Sequence, residues 1–147
     1  MSTPIIFLDF DGVIRVAPQG GFITADAVQF CQHRMELLGG VCRETGAKIV
    51  VSSDWRNMEN LHEIIGHLTP HLHLHLHADW ATPICGHRWN ECERWLRDHP
   101  EVSRYAILED FLPHFDGCPA DMASRLILCS NRHGLVPELI PRFLALL

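Results

Sequence analysis

The sequence predicts an α/β fold, a three-layer sandwich in which helices cover both faces of a central parallel sheet of about five strands. Short apolar runs alternate with segments of helical periodicity along the chain, an order typical of parallel strands joined by helices. The runs are apolar at successive positions, as in strands that are buried on both faces. A chain of 147 residues is expected to form a single domain, residues 1–147.

The first half of the chain begins with a strand and continues with a helix and a second strand. The run IIFL predicts a strand at about residues 5–10, and a loop rich in glycine and proline, RVAPQGGF, follows it. Apolar residues at helical spacing predict a helix at about 25–45, which Gly46 would end. The β-branched segment AKIVVS then predicts a strand at 47–52.

The second half continues this alternation of helices and strands. The elements predicted there are a helix at about 56–67, a helix at 89–99, strands at 105–110 and 125–130, and a helix from about 137 to the end. Ser53 or Asp54 is the expected cap of the first of these helices. Asp54 and Arg56 are expected to cap that helix or to form salt bridges at its start, and Trp55 is expected to pack in the core.

Residues 71–77, HLHLHLH, form a ladder of alternating histidines and leucines. If this segment is extended, His71, His73, His75 and His77 lie on one face and the leucines lie on the other. One interpretation is a row of metal-binding or pH-sensing histidines. We favour an edge strand with its leucines inward, because polar side chains limit unwanted pairing at the edge of a sheet.

Composition and charge exclude several classes of protein. The formal net charge of −6 argues against binding of nucleic acids irrespective of sequence, which needs a basic face. No signal peptide or membrane-spanning stretch is recognisable, so we expect a cytoplasmic protein with no membrane partner. The six cysteines are expected to be reduced thiols. Cys85, His87 and Cys92 lie close in sequence, but their spacing fits no zinc-finger or zinc-ribbon pattern.

Polar residues stand at the ends of three predicted strands. They are Asp9 and Asp11, Ser52 and Ser53, and Glu109 and Asp110. The carboxyl ends of parallel strands meet at one edge of the sheet, where ligands bind in open α/β sheets. Two carboxylates as close as Asp9 and Asp11 repel each other unless a cation lies between them. We therefore expect the functional site at this edge.

The motifs DFDGV, VVSSDWR and ILED, in this order, resemble those of the haloacid dehalogenase (HAD)-like phosphatase superfamily. More narrowly, the chain is similar to small HAD-like proteins with an SS-x-WR second motif, an R-x-x-E helix and a GL after the last strand, here Arg88, Glu91 and Gly134-Leu135. The resemblance covers nearly the whole chain and implies a HAD-like Rossmannoid fold. The segments between the motifs have no room for a cap domain, so an open site is expected.

The resemblance implies a magnesium-dependent phosphatase. Asp9 would be the nucleophile that forms an aspartyl-phosphate, and Asp11 would be the general acid and base. Mg²⁺ would be held by the Asp9 carboxylate, the Asp11 backbone carbonyl and the Asp110 carboxylate, with Glu109 acting through water. A divalent cation is needed because a phosphate monoester carries two negative charges and resists attack by an anion.

The resemblance also implies a set of phosphate-binding groups. Ser52 would donate its hydroxyl, with Ser53 as the less favoured alternative, and backbone N–H groups of Gly12 and Ser53 would assist. Gly12 suits this role because a missing Cβ lets the backbone approach a ligand. Arg88 is the predicted phosphate-binding cation, since its guanidinium can hold two phosphate oxygens at once.

The assignment of Arg88 depends on where the other cations lie. Lys48 is the only lysine and lies inside the second predicted strand, upstream of the site. The alternative for Arg88 is a salt bridge with Glu91 or Glu93 on its own helix.

Two functions of different classes remain. The first is a Mg²⁺-dependent phosphatase with a phosphorylated substrate that no residue identifies. An open site suits a macromolecular end, and the family likeness suggests a nucleic-acid end, although the net charge does not support it. The alternative is a HAD-fold binding or regulatory module without useful turnover. The intact DxD favours the enzyme, because a binding module has no need of an acid at Asp11. Phosphotransfer to an acceptor other than water stays open.

Overall fold

The computed structural model describes residues 2–16, 30–58, 60–68 and 70–147, without the side chains of residues 57, 58 and 61. Its centre is a five-stranded sheet in which every pairing is parallel. The strands are β1 (Ile5–Leu8), β2 (Lys48–Val51), β3 (Leu76–Ala81), β4 (Tyr105–Glu109) and β5 (Leu126–Leu128), in the order β3-β2-β1-β4-β5. The predicted α/β fold and its parallel sheet are confirmed.

Helices connect the strands and pack on both faces of the sheet. They are α1 (Gln32–Thr45), α2 (Trp55–Met58), α3 (Leu61–Leu68), α4 (Arg88–Asp98), α5 (Ala120–Ala123) and α6 (Ile140–Leu146). A short 3₁₀ helix, Pro137–Leu139, leads into α6. The predicted start of the first helix, residues 25–29, lies outside the described residues, as does most of the loop before it.

The single helix predicted at 56–67 is wrong, because the structure has two helices there. The second of them, α3, begins at a capping box. The Asn60 side chain accepts the backbone N–H of Glu63, and the Glu63 carboxylate accepts the backbone N–H of Asn60. This reciprocal pair satisfies two backbone donors at the start of a helix and so favours a new helix at this position. Ser53 caps α2 by accepting the backbone N–H of Trp55.

The histidine ladder is not the extended strand that its alternation predicts. His73–His75 form a 3₁₀ turn, and β3 begins only at Leu76. Side chains on such a turn do not alternate between two faces. Leu72 is fully buried, whereas Leu74 is 73% exposed. The position of β3 at the edge of the sheet is as predicted.

The two faces of the sheet carry two separate cores. On β1, Ile6 and Leu8 face the core formed with α1, α3 and α6, while Ile5 and Phe7 face the core formed with α4. Trp95 of α4 packs edge-on against Phe7. The three-layer arrangement is therefore confirmed, and it leaves the carboxyl ends of the strands as the open edge.

The cysteines do not form the site that their proximity in sequence suggests. All six are free thiols, as predicted. Cys92 is fully buried in the core beneath α4, whereas Cys85 is exposed, so these two side chains face different surroundings. In the described part of the chain, no helix is long and apolar enough to cross a membrane.

Candidate active site

The register of the sheet brings three motif residues side by side. Leu8 of β1 pairs with Val51 on one side and with Leu108 on the other. The next residues along these strands are Asp9, Ser52 and Glu109. Their positions follow directly from the parallel pairing of β1, β2 and β4.

A cluster of carboxylates lies at this edge. Oxygen atoms of Asp9, Glu109 and Asp110 lie within 4.8 Å of one another. Among the described residues, no other group of three or more potential metal ligands lies this close together. Asp9 and Glu109 are buried, and Asp110 is half-buried. Oxygen ligands of this kind are those that Mg²⁺ prefers, so the residues fit the ion that the sequence predicts.

Gly12 makes room for this cluster. Its φ of 79° lies in the left-handed region, and a Cβ added here would overlap the Asp110 carboxylate. Two features therefore require glycine at position 12: the left-handed backbone conformation and the close approach of the Asp110 side chain. The role predicted from the sequence was different: the missing Cβ of Gly12 would let its backbone N–H approach a phosphate. That role stays a prediction.

The electrostatics of the cluster favour a cation. Burial, together with repulsion from Glu109 and Asp110, raises the pKa of Asp9 well above its usual range. Burial likewise raises the pKa of Glu109 to about 7. Glu109 accepts backbone N–H groups of Asp110 and Phe111, which holds its carboxylate in place. Burial is the main cause of both shifts, and a divalent cation would offset it by favouring the ionised carboxylates.

Arg88, the first residue of α4, points into the cluster rather than along its own helix. Its guanidinium lies 3.2 Å from Glu109, 3.5 Å from Asp9 and 2.9 Å from Asp54. The contact with Glu91 on the same helix is longer, at 3.9 Å. The helix partner considered for Arg88 is thus secondary to carboxylates from three other segments.

Glu91 has a different partner. It lies 2.9 Å from Arg56, which also donates to backbone oxygens of Ser53 and Thr82. The predicted salt bridge of Arg56 is therefore confirmed. It ties the start of α2 to α4 and the segment after β3, and so supports the loop that carries Ser53.

The two serines have different surroundings. The Ser52 hydroxyl is buried and has no hydrogen-bond partner among the described residues. The Ser53 hydroxyl accepts the backbone N–H of Trp55. A buried hydroxyl without a partner loses free energy unless a ligand or water bonds to it. The structure therefore favours Ser52 over Ser53 as the hydroxyl that meets an anion.

Asp11 and Trp55 form a contact that the sequence did not predict. Trp55 packs in the core against Phe10, as expected, but its indole N–H also donates to the Asp11 carboxylate at 3.3 Å. Arg15 donates to the same carboxylate. The contact between Asp11 and Arg15 could have been indicated only by their spacing of four residues. This signal is weak, because such spacing brings side chains together only in helices and tight turns.

Comparison with known protein families identifies the family of this chain. The family described as "HAD domain in Swiss Army Knife RNA repair proteins" matches residues 5–140. The chain belongs to this family. Membership identifies a HAD-like phosphatase superfamily member and indicates a phosphatase-type hydrolase. Searches of the curated proteins and of the solved structures found no match.

The Gly12→Ala variant of this HAD domain is expected to bind Mg²⁺ at least about tenfold more weakly, because Asp110 must move away from the new methyl group. The measurement is a Mg²⁺ titration by calorimetry. Gly66→Ala is the matched control. Apart from its chain neighbours and its own helix backbone, no atom of the described residues lies within 4 Å of a Cβ built there. Unchanged Mg²⁺ affinity in Gly12→Ala would contradict the conclusion that Gly12 makes room for the Asp110 carboxylate.

The stability of the metal-free HAD domain is expected to fall as pH rises from about 4.5 to about 7. The pKa of Glu109 is raised from 4.5 to about 7, so the folded state holds this proton more tightly than the unfolded state. The associated stabilisation is fully present below the unfolded pKa and is lost as pH rises through the folded pKa. The raised pKa of Asp9 acts in the same direction.

Urea unfolding in EDTA and in Mg²⁺, from about pH 5 to about pH 8, measures this effect. The free energy of unfolding should decrease by a few kcal/mol in EDTA. In Mg²⁺ the decrease should be smaller, because the ion binds ionised carboxylates. Glu109→Gln, which cannot titrate, should flatten the EDTA curve. Metal-free stability that rises over this range in the unaltered protein would contradict the prediction.

Proposed function

We propose that this HAD domain is a Mg²⁺-dependent phosphatase that hydrolyses phosphate monoesters through an aspartyl-phosphate on Asp9. We further propose that its substrate is a phosphorylated nucleic-acid end, with RNA as the first choice. The observation that carries the proposal is the cluster of Asp9, Glu109 and Asp110 beside a Ser52 hydroxyl that has no hydrogen-bond partner among the described residues. A group that can bind an anion therefore lies next to groups that can bind a cation, and metal-assisted hydrolysis of a phosphate ester needs both.

The first half of the reaction transfers the phosphoryl group to the protein. An Asp9 carboxylate oxygen attacks phosphorus, and the bond from phosphorus to the leaving oxygen breaks. The Asp11 carboxyl group gives its proton to that oxygen, which leaves as an alcohol. The Ser52 hydroxyl and the Arg88 guanidinium would hold the phosphoryl oxygens in line with Asp9.

The second half returns the protein to its starting state. Asp11, now a carboxylate, takes a proton from water, and the water oxygen attacks phosphorus. The bond from phosphorus to the Asp9 oxygen breaks and inorganic phosphate leaves. Asp11 is again protonated and Asp9 is again a free carboxylate, so atoms and charges balance over the cycle.

The metal would be held by the carboxylates of Asp9 and Asp110 and by the Asp11 backbone carbonyl, with Glu109 acting through water. When bound, it supplies positive charge that lets an anionic nucleophile approach an anionic ester. Arg88 alone cannot do this, since it already faces the carboxylates of Asp9, Glu109 and Asp54.

The nucleic-acid end is supported by the family and by the shape of the edge. The family description names RNA repair proteins. A cavity of about 180 Å³ opens beside Arg88 and is lined also by Ile84, His87 and His114. These side chains offer apolar contact and hydrogen bonds to a group attached to the phosphate. The net charge of −6 suits contact with one terminal phosphate rather than with a long backbone.

The test is phosphate release with Mg²⁺ and with EDTA. The substrates are a generic aryl phosphate and oligoribonucleotides phosphorylated at the 5′ end or at the 3′ end, with matching DNA. Mg²⁺-dependent release from an RNA end, faster than from DNA or the aryl ester, is the expected result. Release from the aryl ester alone would overturn the nucleic-acid substrate. No release above the Asp9→Asn background from any ester would overturn the phosphatase and favour a binding module.

A further inference from the structure

Arg15 is a buried charge immediately beside the proposed acid–base residue. Its side chain is 1% exposed, whereas that of Asp11, its partner, is 39% exposed. The chain between them turns tightly, since Gly12 N–H donates to the Arg15 carbonyl at 2.6 Å and Arg15 N–H donates to Phe10. The turn therefore carries the guanidinium back to the carboxylate four residues earlier.

The guanidinium lies on aromatic rings. Its central carbon is 4.4 Å from the centre of the Trp55 ring and 5.6 Å from that of Phe30. Trp55 in turn packs edge-on against Phe10 and Phe30. A planar cation stacked on a fixed aromatic ring has little freedom to reorient.

Asp11 therefore receives donors from two restrained groups. The Trp55 indole N–H reaches both of its oxygens at 3.3 Å, and the Arg15 guanidinium donates to Oδ1. Three donor contacts from two groups restrict the orientation of the carboxylate, although more than a third of its surface is open to solvent.

Stability alone does not account for this arrangement. An ion pair with a solvent-exposed carboxylate contributes little to the free energy of unfolding. Burying a guanidinium carries a large desolvation penalty before pairing, and an apolar residue of similar size often stabilises a core at least as well. A fixed orientation matters when a proton must pass to a defined atom.

We propose that Arg15, stacked on Trp55, is a positioning residue that fixes the Asp11 carboxyl group for proton transfer. The inference rests on the proposed phosphatase function. Because its side chain is buried, Arg15 would act through Asp11 and not by contact with the phosphate or the leaving group. The orientation it imposes serves both halves of the reaction, in which Asp11 first gives a proton to the leaving oxygen and then takes one from water.

The experiment compares leaving groups. An alkyl phosphate needs the proton from Asp11 when its oxygen leaves, whereas an aryl phosphate with an acidic phenol does not. Loss of the correct orientation should therefore lower kcat/KM for the alkyl ester by about 100-fold and leave kcat/KM for the aryl ester within about threefold. For the aryl ester the aspartyl-phosphate should accumulate, because its hydrolysis still needs Asp11 as a base.

The variants are Arg15→Met and Arg15→Lys, measured with the full chain in saturating Mg²⁺. Lysine keeps the charge without the planar fork, so it should recover only part of the alkyl-ester rate. Arg125→Met is the matched control. Arg125 stacks on Tyr105 at 4.5 Å and pairs with Asp121 four residues earlier. It lies at the amino ends of β4 and β5, at the opposite end of these strands from the site. It should leave the ratio of the two rates unchanged.

The outcomes separate the two claims. Equal losses of aryl and alkyl turnover in Arg15→Met, without accumulation of aspartyl-phosphate, would make Arg15 structural and overturn the inference. If that variant does not fold, Trp55→Phe keeps a packed ring and removes only the N–H donor. It should shift the same ratio by about tenfold, and no shift would overturn the inference. Absence of turnover in the unaltered protein would instead overturn the phosphatase function, and the inference with it.

Discussion

The Asp9→Asn variant is expected to lose phosphate-ester hydrolysis by about 10⁴-fold or more while becoming more stable without metal. The amide is not a nucleophile, so no aspartyl-phosphate forms. The gain in stability has a separate cause. Burial and the neighbouring carboxylates raise the pKa of Asp9, which means that its ionised form is unfavourable in the folded state. A neutral side chain of the same shape removes that repulsion.

Two measurements check this prediction: phosphate release in Mg²⁺, and the free energy of unfolding in EDTA at about pH 8. Asp98→Asn is the matched control, because Asp98 is exposed near the end of α4 and pairs only with Arg94 at 4.0 Å in the described structure. It should change neither quantity by a measurable amount. Hydrolysis at the unaltered rate by Asp9→Asn would exclude Asp9 as nucleophile. Lower metal-free stability would show that its pairing with Arg88 outweighs the repulsion.

The position of the site could be predicted from sequence because it depends on strand direction alone. Parallel strands place their carboxyl ends at one edge, so Asp9, Ser52 and Glu109 were expected at the same edge once three strands were recognised. The strand order and the register of the folded sheet then make them adjacent. No knowledge of side-chain packing was needed for this step.

The conformation of the histidine ladder could not be predicted, because the alternation of residues indicates a strand whereas the chain has to turn at this point. Alternation over seven residues is typical of a strand. Here the segment must first turn from α3 toward the sheet, and Leu72 N–H donates to the Leu68 carbonyl at the helix end. That requirement leaves Leu74 exposed and confines the strand to Leu76–Ala81.

The surroundings of Asp11 and Arg88 could not be predicted because they come from distant segments. Asp11 and Trp55 are 44 residues apart in sequence, and neither motif shows that the indole N–H turns toward the carboxylate. Arg88 was recognisable as a cation near the site. Of its carboxylate partners, Glu109 lies 21 residues away in sequence and Asp54 lies 34 residues away. Only the folded structure therefore reveals how many negative charges Arg88 faces.

Arg88→Met is expected to destabilise the metal-free protein by about 3–5 kcal/mol at about pH 8, because it leaves buried carboxylates without their cation. Arg88 is buried against Asp9 and Glu109. At about pH 5 the loss should be smaller, since Glu109, with a pKa of about 7, is then protonated and needs no counter-charge. Saturating Mg²⁺ should recover part of the loss at the higher pH.

Urea unfolding at both pH values, in EDTA and in Mg²⁺, measures the effect. Arg97→Met is the matched control on the same helix. Its guanidinium is exposed and pairs with Glu93 at 2.9 Å, so its loss should cost less than about 1 kcal/mol at either pH. If Arg88→Met instead costs the same at about pH 5 as at about pH 8, the methylene packing of Arg88 carries its contribution.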